Sequence, residues 1–233
     1  MRAACALTLF LLLTACHKPV PEGPRTANGF PQAARPVAKV ISGSWSNEPD
    51  RDRNGEAETV MAAAGVKPGM TVADIGAGEG YYTVRLAARV GPKGRVLAED
   101  IVRLFHDRLA DRVYREGLDN VSVKLGKPAD PGLPPHSFDR IFMVHMYHEV
   151  DEPYEFLWNM RPSLNPDGLV AVVDADRPTE AHGTPPALLD CEFKTVGYTL
   201  VERRPMPRAG GYLALYKAEG PRPDPRAMRA CQA

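Results

Sequence analysis

Three short stretches carry residues whose types and spacing can do chemistry. The first is Asp74-Ile75-Gly76-Ala77-Gly78-Glu79-Gly80, three alternating glycines behind a short apolar run. Glycine tolerates positive φ and lets a ligand approach the backbone with no side chain between. Dinucleotide sites favour G-x-G-x-x-G, which brings a pyrophosphate to a helix N-terminus. Here the spacing is G-x-G-x-G, and Asp74 and Glu79 put two carboxylates beside the loop. They repel a pyrophosphate but tolerate a ligand bearing an ammonium or a sulfonium. The second stretch is the acidic pair Glu99-Asp100, about twenty residues further on. The third is His145-Met146-Tyr147-His148-Glu149. Histidine is the side chain type suited to proton transfer at neutral pH, so both are candidate bases, and Tyr147 can orient a donor atom. His145, His148 and Glu149 could converge on a metal, but the stretch begins on a strand and H-x-x-H-E is not the zincin order. No metal is expected. The plainer reading has one histidine lining a pocket and the other satisfying backbone groups. Asp174 and Asp176, in VVDADRP, are alternative bases or simply polar strand-end residues.

The elements that must position these groups follow an alternating rhythm. Strands are predicted at 70–75, 95–100, 121–125, 138–145 and 169–175, with helices at 55–64, 82–90, 102–117 and 152–164 between or before them. Continuous apolar strands such as TVADI, IFMV and LVAVV fit burial on both faces, and the alternation argues for a parallel sheet with helices on both sides. A last helix over 184–197 takes Thr184 as its N-cap, with prolines in the first turn. Runs at 198–205 and 211–220, separated by Gly210-Gly211, read as a closing hairpin. In such a sheet a ligand sits beyond the carboxyl ends of the strands, where the glycine loop falls.

The loop DIGAGEG at 74–80 resembles the first motif of class I S-adenosylmethionine-dependent methyltransferases, D/E-x-G-x-G-x-G after the first strand. The resemblance covers roughly residues 56 to 218. It implies a Rossmann-like doubly wound, mostly parallel seven-stranded sheet with a C-terminal antiparallel hairpin and S-adenosylmethionine as cofactor. With no N-P-P-Y-like run after the fourth strand, the expected methyl acceptor is a small molecule or an envelope component such as a lipid. The cofactor contacts it implies are Asp74, Gly76, Ala77, Gly78 and Gly80. By register with G-R-V-x-x-x-D-I the ribose falls to Asp100, beside Ile101, with Glu99 the fallback. Lys127 stands where the family often has an acid near the adenine, leaving Asp130 as the nearest carboxylate. The carboxyl end of the fourth strand faces the methyl group, so His145, Tyr147 and His148 are the catalytic candidates, His145 also bordering the cofactor. The charged stretch 45–53, beginning at Trp45, is either a lid over the pocket or a solvated charge run. The alternative to an active transferase is a membrane-tethered protein of this fold that binds the cofactor without transferring.

Location is written at the N-terminus. Met1-Arg2 and the apolar run Ala3–Ala15 have the length of a signal-peptide core and are too short to span a bilayer as an ordinary helix. Leu13-Thr14-Ala15-Cys16 resembles a bacterial lipobox, which makes Cys16 the lipidation site and the envelope, periplasm-facing, the expected location. Residues 1–15 then form a signal peptide, 16–36 a Pro-rich tether, 37–220 the S-adenosylmethionine-binding domain and 221–233 a flexible tail. Of four cysteines, Cys191 and Cys231 remain in the folded part. They can pair in an oxidising compartment, but the prolines at 221, 223 and 225 favour one buried cysteine and one free in the tail. Lys plus Arg and Asp plus Glu are both 29, and a neutral chain argues against nucleic-acid binding driven by counterion release.

Overall fold

The computed structural model describes residues 23–40 and 47–232. The signal sequence, Cys16, the first part of the tether and Trp45 lie outside the described residues. A seven-stranded sheet has the order β3-β2-β1-β4-β5-β7-β6, formed by β1 (Thr71–Ile75), β2 (Arg95–Asp100), β3 (Val121–Leu125), β4 (Phe138–Val144), β5 (Leu164–Asp174), β6 (Tyr198–Met206) and β7 (Gly211–Ala218). The first five pair in parallel. β7 runs antiparallel to both β5 and β6. The expected doubly wound sheet with its closing hairpin is therefore present.

Adjacent residues of the central strands point to opposite faces, and both faces are covered. Ala73, Ile75, Ile141, Met143, Val170 and Val172 join one apolar cluster. It is closed by α5 (Pro153–Met160) and α6 (Pro186–Thr195). Val72, Phe142, Ala171 and Val173 join the other, under α2 (Glu56–Ala63) and α3 (Tyr81–Val90). This two-sided burial is why the strands read as unbroken apolar runs. α4 (Arg103–Arg115) covers the β2 and β3 side, and its sole fully buried residue is Leu109.

Local chemistry moved several boundaries. α5 stops at Met160 and yields to a 3₁₀ turn, Arg161–Ser163, because Pro162 cannot continue the hydrogen-bond ladder. α6 begins at Pro186, so Thr184 is not its cap. That hydroxyl donates instead to Asp174 Oδ2 at 2.7 Å. A helix not anticipated as such, α1 (Glu48–Arg53), is capped by the Asn47 side chain accepting from Asp50 N at 3.0 Å.

The larger correction concerns the two ends. Residues 23–36, read as a tether, are a strap laid over the α5–α6 face. Phe30 is buried and meets Trp158 edge-on, with ring centroids 5.5 Å apart. Thr26 Oγ1 donates to Glu155 at 3.0 Å, and Arg35 pairs with Glu192 at 2.9 Å with both side chains fully buried. The segment 221–232 is no free tail either. Arg25 donates to the carbonyls of Pro225, Arg226 and Met228. Ala34 bridges Gln232, and Cys231 forms a disulfide with Cys191. Proline content misled here, since a strap anchored by side chains needs no regular backbone. Among the described residues no helix is long and apolar enough to cross a membrane.

Candidate functional site

The loop after β1 opens on a cleft of about 410 Å³ at the carboxyl ends of the strands. Its floor is backbone. Gly76 has φ +64°, and a Cβ there would come within 2.9 Å of Met146 Cγ, so the loop passes under Met146 only as glycine. Gly80, at φ +90°, turns the chain into α3. Gly76, Ala77 and Gly78 line the cleft; Asp74 and Gly80 do not. Asp74 lies beneath the loop, fully enclosed, and accepts a 2.6 Å hydrogen bond from Thr83 Oγ1 that ties β1 to α3. Burial raises its pKa to about 6, and the Thr83 bond offsets only part of that.

Two carboxylates end β2, and their surroundings differ. Asp100 accepts from Gly78 N at 2.9 Å and Val102 N at 2.8 Å, so it braces the glycine loop as well as facing the cleft. Burial still raises its pKa, against those two amides. Glu99 is 1% exposed and its Oε1 has no hydrogen-bond partner among the described residues. Burial, then the nearby Asp100 charge, pushes its pKa to about 8. Ile101 and Phe105 supply an apolar side of the cleft. Asp130 is not part of it: its Oδ1 accepts from Gly132 N at 2.7 Å in a surface turn.

The turn after β4 divides the three catalytic candidates. His145 lines the cleft and holds φ +53°, a conformation costly outside glycine and concentrated at functional sites. Its Nε2 lies 3.4 Å from Glu56 Oε1. Tyr147 and His148, in the 3₁₀ turn Tyr147–Glu149, point the other way into the core. Tyr147 donates to Glu192 Oε2 at 2.7 Å, next to Arg35. His148 Nδ1 is 3.0 Å from Asp174 Oδ1. Neither lines the cleft, so the geometry does not bring them to a bound ligand. Asp174 is fully buried in that pairing, and Asp176 is exposed.

Glu56 was not foreseen, because a lone glutamate opening a helix carries no sequence signal. It is 4% exposed and accepts from Arg51 at 2.6 Å and Tyr82 at 3.2 Å. Burial would raise its pKa, but hydrogen bonds from His145 and Arg51 win and bring it down to about 2. Arg51 belongs to α1, which closes the cleft from above through Asn47, Glu48 and Arg51. The helix is pinned there. Arg51 and Arg85 each stack 3.8 Å from the Tyr81 ring centre, and Glu48 pairs with Arg112 and Arg85. The part of the 45–53 stretch that the structure describes is thus a lid.

Comparisons with known proteins agree with this geometry. Residues 72–168 match a family model described as a methyltransferase domain. Over 73 residues the chain is 41% identical to nocamycin O-methyltransferase of Saccharothrix syringae, covering 31% of this chain and 26% of that one. It is 29% identical over 120 residues to the ubiquinone/menaquinone biosynthesis C-methyltransferase UbiE of Hahella chejuensis, covering 50% and 47%. The chain spans about half the length, or less, of the curated relatives it matches first. Among solved structures, a SAM-dependent methyltransferase from Aquifex aeolicus superposes with a TM-score of 0.65 at 27% identity, covering 72% of this chain and 92% of that one. The fold is the Rossmann-like fold of S-adenosylmethionine-dependent methyltransferases.

Proposed function

We propose that this chain, whose residues 72–168 match a methyltransferase domain, binds S-adenosylmethionine in the cleft and methylates a small molecule or envelope component. The observation that carries the reading is the cleft's electrostatics. A glycine-rich loop runs beneath it, Asp100 borders it, and the buried Glu99 Oε1 has no partner among the described residues. That set suits a ligand rich in hydrogen-bond donors, as an adenosyl sulfonium with its ammonium and ribose hydroxyls is, and the Asp100 carboxylate disfavours a pyrophosphate. When bound, the cofactor supplies an electrophilic methyl on a sulfonium. The chain's own part is to orient and to handle a proton. Gly76 and Gly78 give close backbone approach, and α1 covers the mouth and excludes water. His145, steadied by Glu56, stands where an acceptor's proton can be taken. No N-P-P-Y-like run follows β4, which favours a small acceptor over a nucleic acid or protein.

The envelope location is part of the same proposal. It is supported by Leu13-Thr14-Ala15-Cys16 and by the Cys191–Cys231 pair, since disulfides persist in oxidising compartments. Export of a protein whose cofactor is made in the cytoplasm favours one second reading, a tethered binding protein without turnover.

Calorimetry tests the cofactor. S-adenosylhomocysteine should bind more tightly than NAD, and Asp100→Ala should weaken it by about 1–3 kcal/mol, as loss of a charged hydrogen-bond partner does. Tighter binding of NAD refutes the reading. Methyl release to an acceptor separates the enzyme from the binding protein. Intact-mass analysis of the mature chain tests the location: any start other than a lipid-bearing Cys16 refutes the lipobox.

A further inference from the structure

Three side chains that methyl transfer does not require meet behind the wall of the cleft, and one of them, Glu149, lines it. His148, Glu149 and His182 each place a ligand-type atom within 4.8 Å of the others. We infer that they form a binding site for a single divalent transition-metal ion of the zinc class, held by two imidazole nitrogens and one carboxylate oxygen.

The orientation of His148 is the first support. Its Nδ1 lies 3.0 Å from Asp174 Oδ1, and Asp174 is itself held by Thr184 Oγ1 at 2.7 Å and Ala175 N at 2.8 Å. A carboxylate fixing one imidazole nitrogen so that the other faces a metal is the usual outer arrangement around a histidine ligand. His182 is the second support. It comes from the turn after β5, stands 5.4 Å from His148 in an edge-on arrangement, and its Nδ1 is buried without a hydrogen-bond partner among the described residues. A buried ring nitrogen left so is uncommon unless something else occupies it. A purely structural His148–Asp174 pair does not account for it.

Donor chemistry narrows the ion. Two imidazoles and a carboxylate suit zinc and its first-row neighbours over magnesium or calcium, which prefer all-oxygen sets. Zinc ligands at about 2.0–2.1 Å stand roughly 3.4 Å apart in a tetrahedron. The widest pair therefore has at most about 1.4 Å to close from 4.8 Å, within reach of small side-chain rotations. Three protein ligands leave a fourth position open. Glu149 lines the cleft and His148 and His182 do not, so the ion would sit behind the cleft wall with its carboxylate ligand facing the cleft. The two cysteines of the folded part are joined to each other and do not compete. The sequence reading weighed only His145, His148 and Glu149 and expected no metal; His145 faces Glu56, and His182 comes from 34 positions beyond His148.

Titration of the full chain with zinc chloride against a chromogenic chelator tests the site without turnover and without the cofactor. One ion per chain is expected for the wild type and for the control His136→Ala, and none for His182→Ala. Asp174→Asn should bind about 10–100-fold more weakly, the usual cost of losing an outer partner. Glu149→Gln, at a half-exposed position, gives the same reading as His182→Ala if that variant unfolds. Cobalt substituted for zinc should show visible d–d bands with no thiolate charge-transfer band. Absence of a stoichiometric ion in the wild type, its retention in both His182→Ala and Glu149→Gln, or a thiolate band would overturn the assignment.

Discussion

Replacing Glu99 by glutamine should change how the stability of this protein responds to pH. Glu99 is buried at the end of β2 beside Asp100, and its pKa rises from 4.5 to about 8 in the folded chain. Between those values the folded state keeps a proton that the unfolded state has released. Stability therefore falls as pH rises through this window, by about 1.4 kcal/mol per pH unit per such group. The contribution is fully present below pH 4.5 and exhausted above about 8. From pH 4.5 to 7 it amounts to about 3 kcal/mol, large against a typical net stability of about 5–15 kcal/mol. Asp74, raised to about 6 by burial, adds a second decline at lower pH, so the wild-type curve alone does not isolate Glu99. The difference between wild type and Glu99→Gln does, since glutamine keeps the shape and never ionises. Urea denaturation at half-unit steps from pH 4.5 to 8.5, followed by tryptophan fluorescence, gives both curves. The variant should gain on the wild type steadily up to about pH 8 and hold its advantage beyond. Parallel curves would refute the argument, because they would mean that Glu99 ionises in the folded chain as it does in the unfolded one.

Other perturbations follow from the same structure. Arg35→Ala leaves Glu192 as a buried charge without its cation and should cost about 3–5 kcal/mol; Arg35→Ala/Glu192→Gln should recover part of it in a urea double-mutant cycle. Cys191→Ser removes a bridge across 40 residues and should cost about 2–4 kcal/mol, with reductant producing the same loss in the wild type and none in the variant. His145→Ala should lower turnover by a factor of about 10²–10⁴ while leaving S-adenosylhomocysteine affinity within a few fold; equal loss of both would make His145 a binding residue only.

The alternation of strand and helix, the glycine loop and the acidic end of β2 were legible because each is a local pattern. Unbroken apolar runs mark strands covered twice, and alternating glycines mark a backbone that something must approach. Glu56, Arg35 and His182 were not legible. Each reaches its partner from a distant element, and nothing at its own position distinguishes it from a surface charge or a loop histidine. The turn after β4 shows the limit well. Five residues in a row looked like one catalytic cluster, yet the left-handed His145 and the 3₁₀ turn behind it send His145 to the cleft and Tyr147 and His148 to the core. Spacing on paper does not reveal which way a tight turn throws its side chains.

The strap of residues 23–40 has a consequence for the order in which the molecule can be completed. Its anchors lie far ahead of it in the chain: Thr26 waits for Glu155, Arg35 for Glu192, and Arg25 for Arg226. Such sequence-distant pairings form late, because a long loop must close before any contact rewards it. On a ribosome, or when threaded head first through a narrow channel, the strap stays only partly docked until residues 225–231 have emerged. The C-terminal segment then serves as a clasp, closing over Arg25 and fastening to α6 through Cys231. A nascent chain cut short before residue 225 would hold all seven strands and still lack the contacts that fasten Arg25. Docking of the strap thus waits on the segment from Pro225 to Cys231.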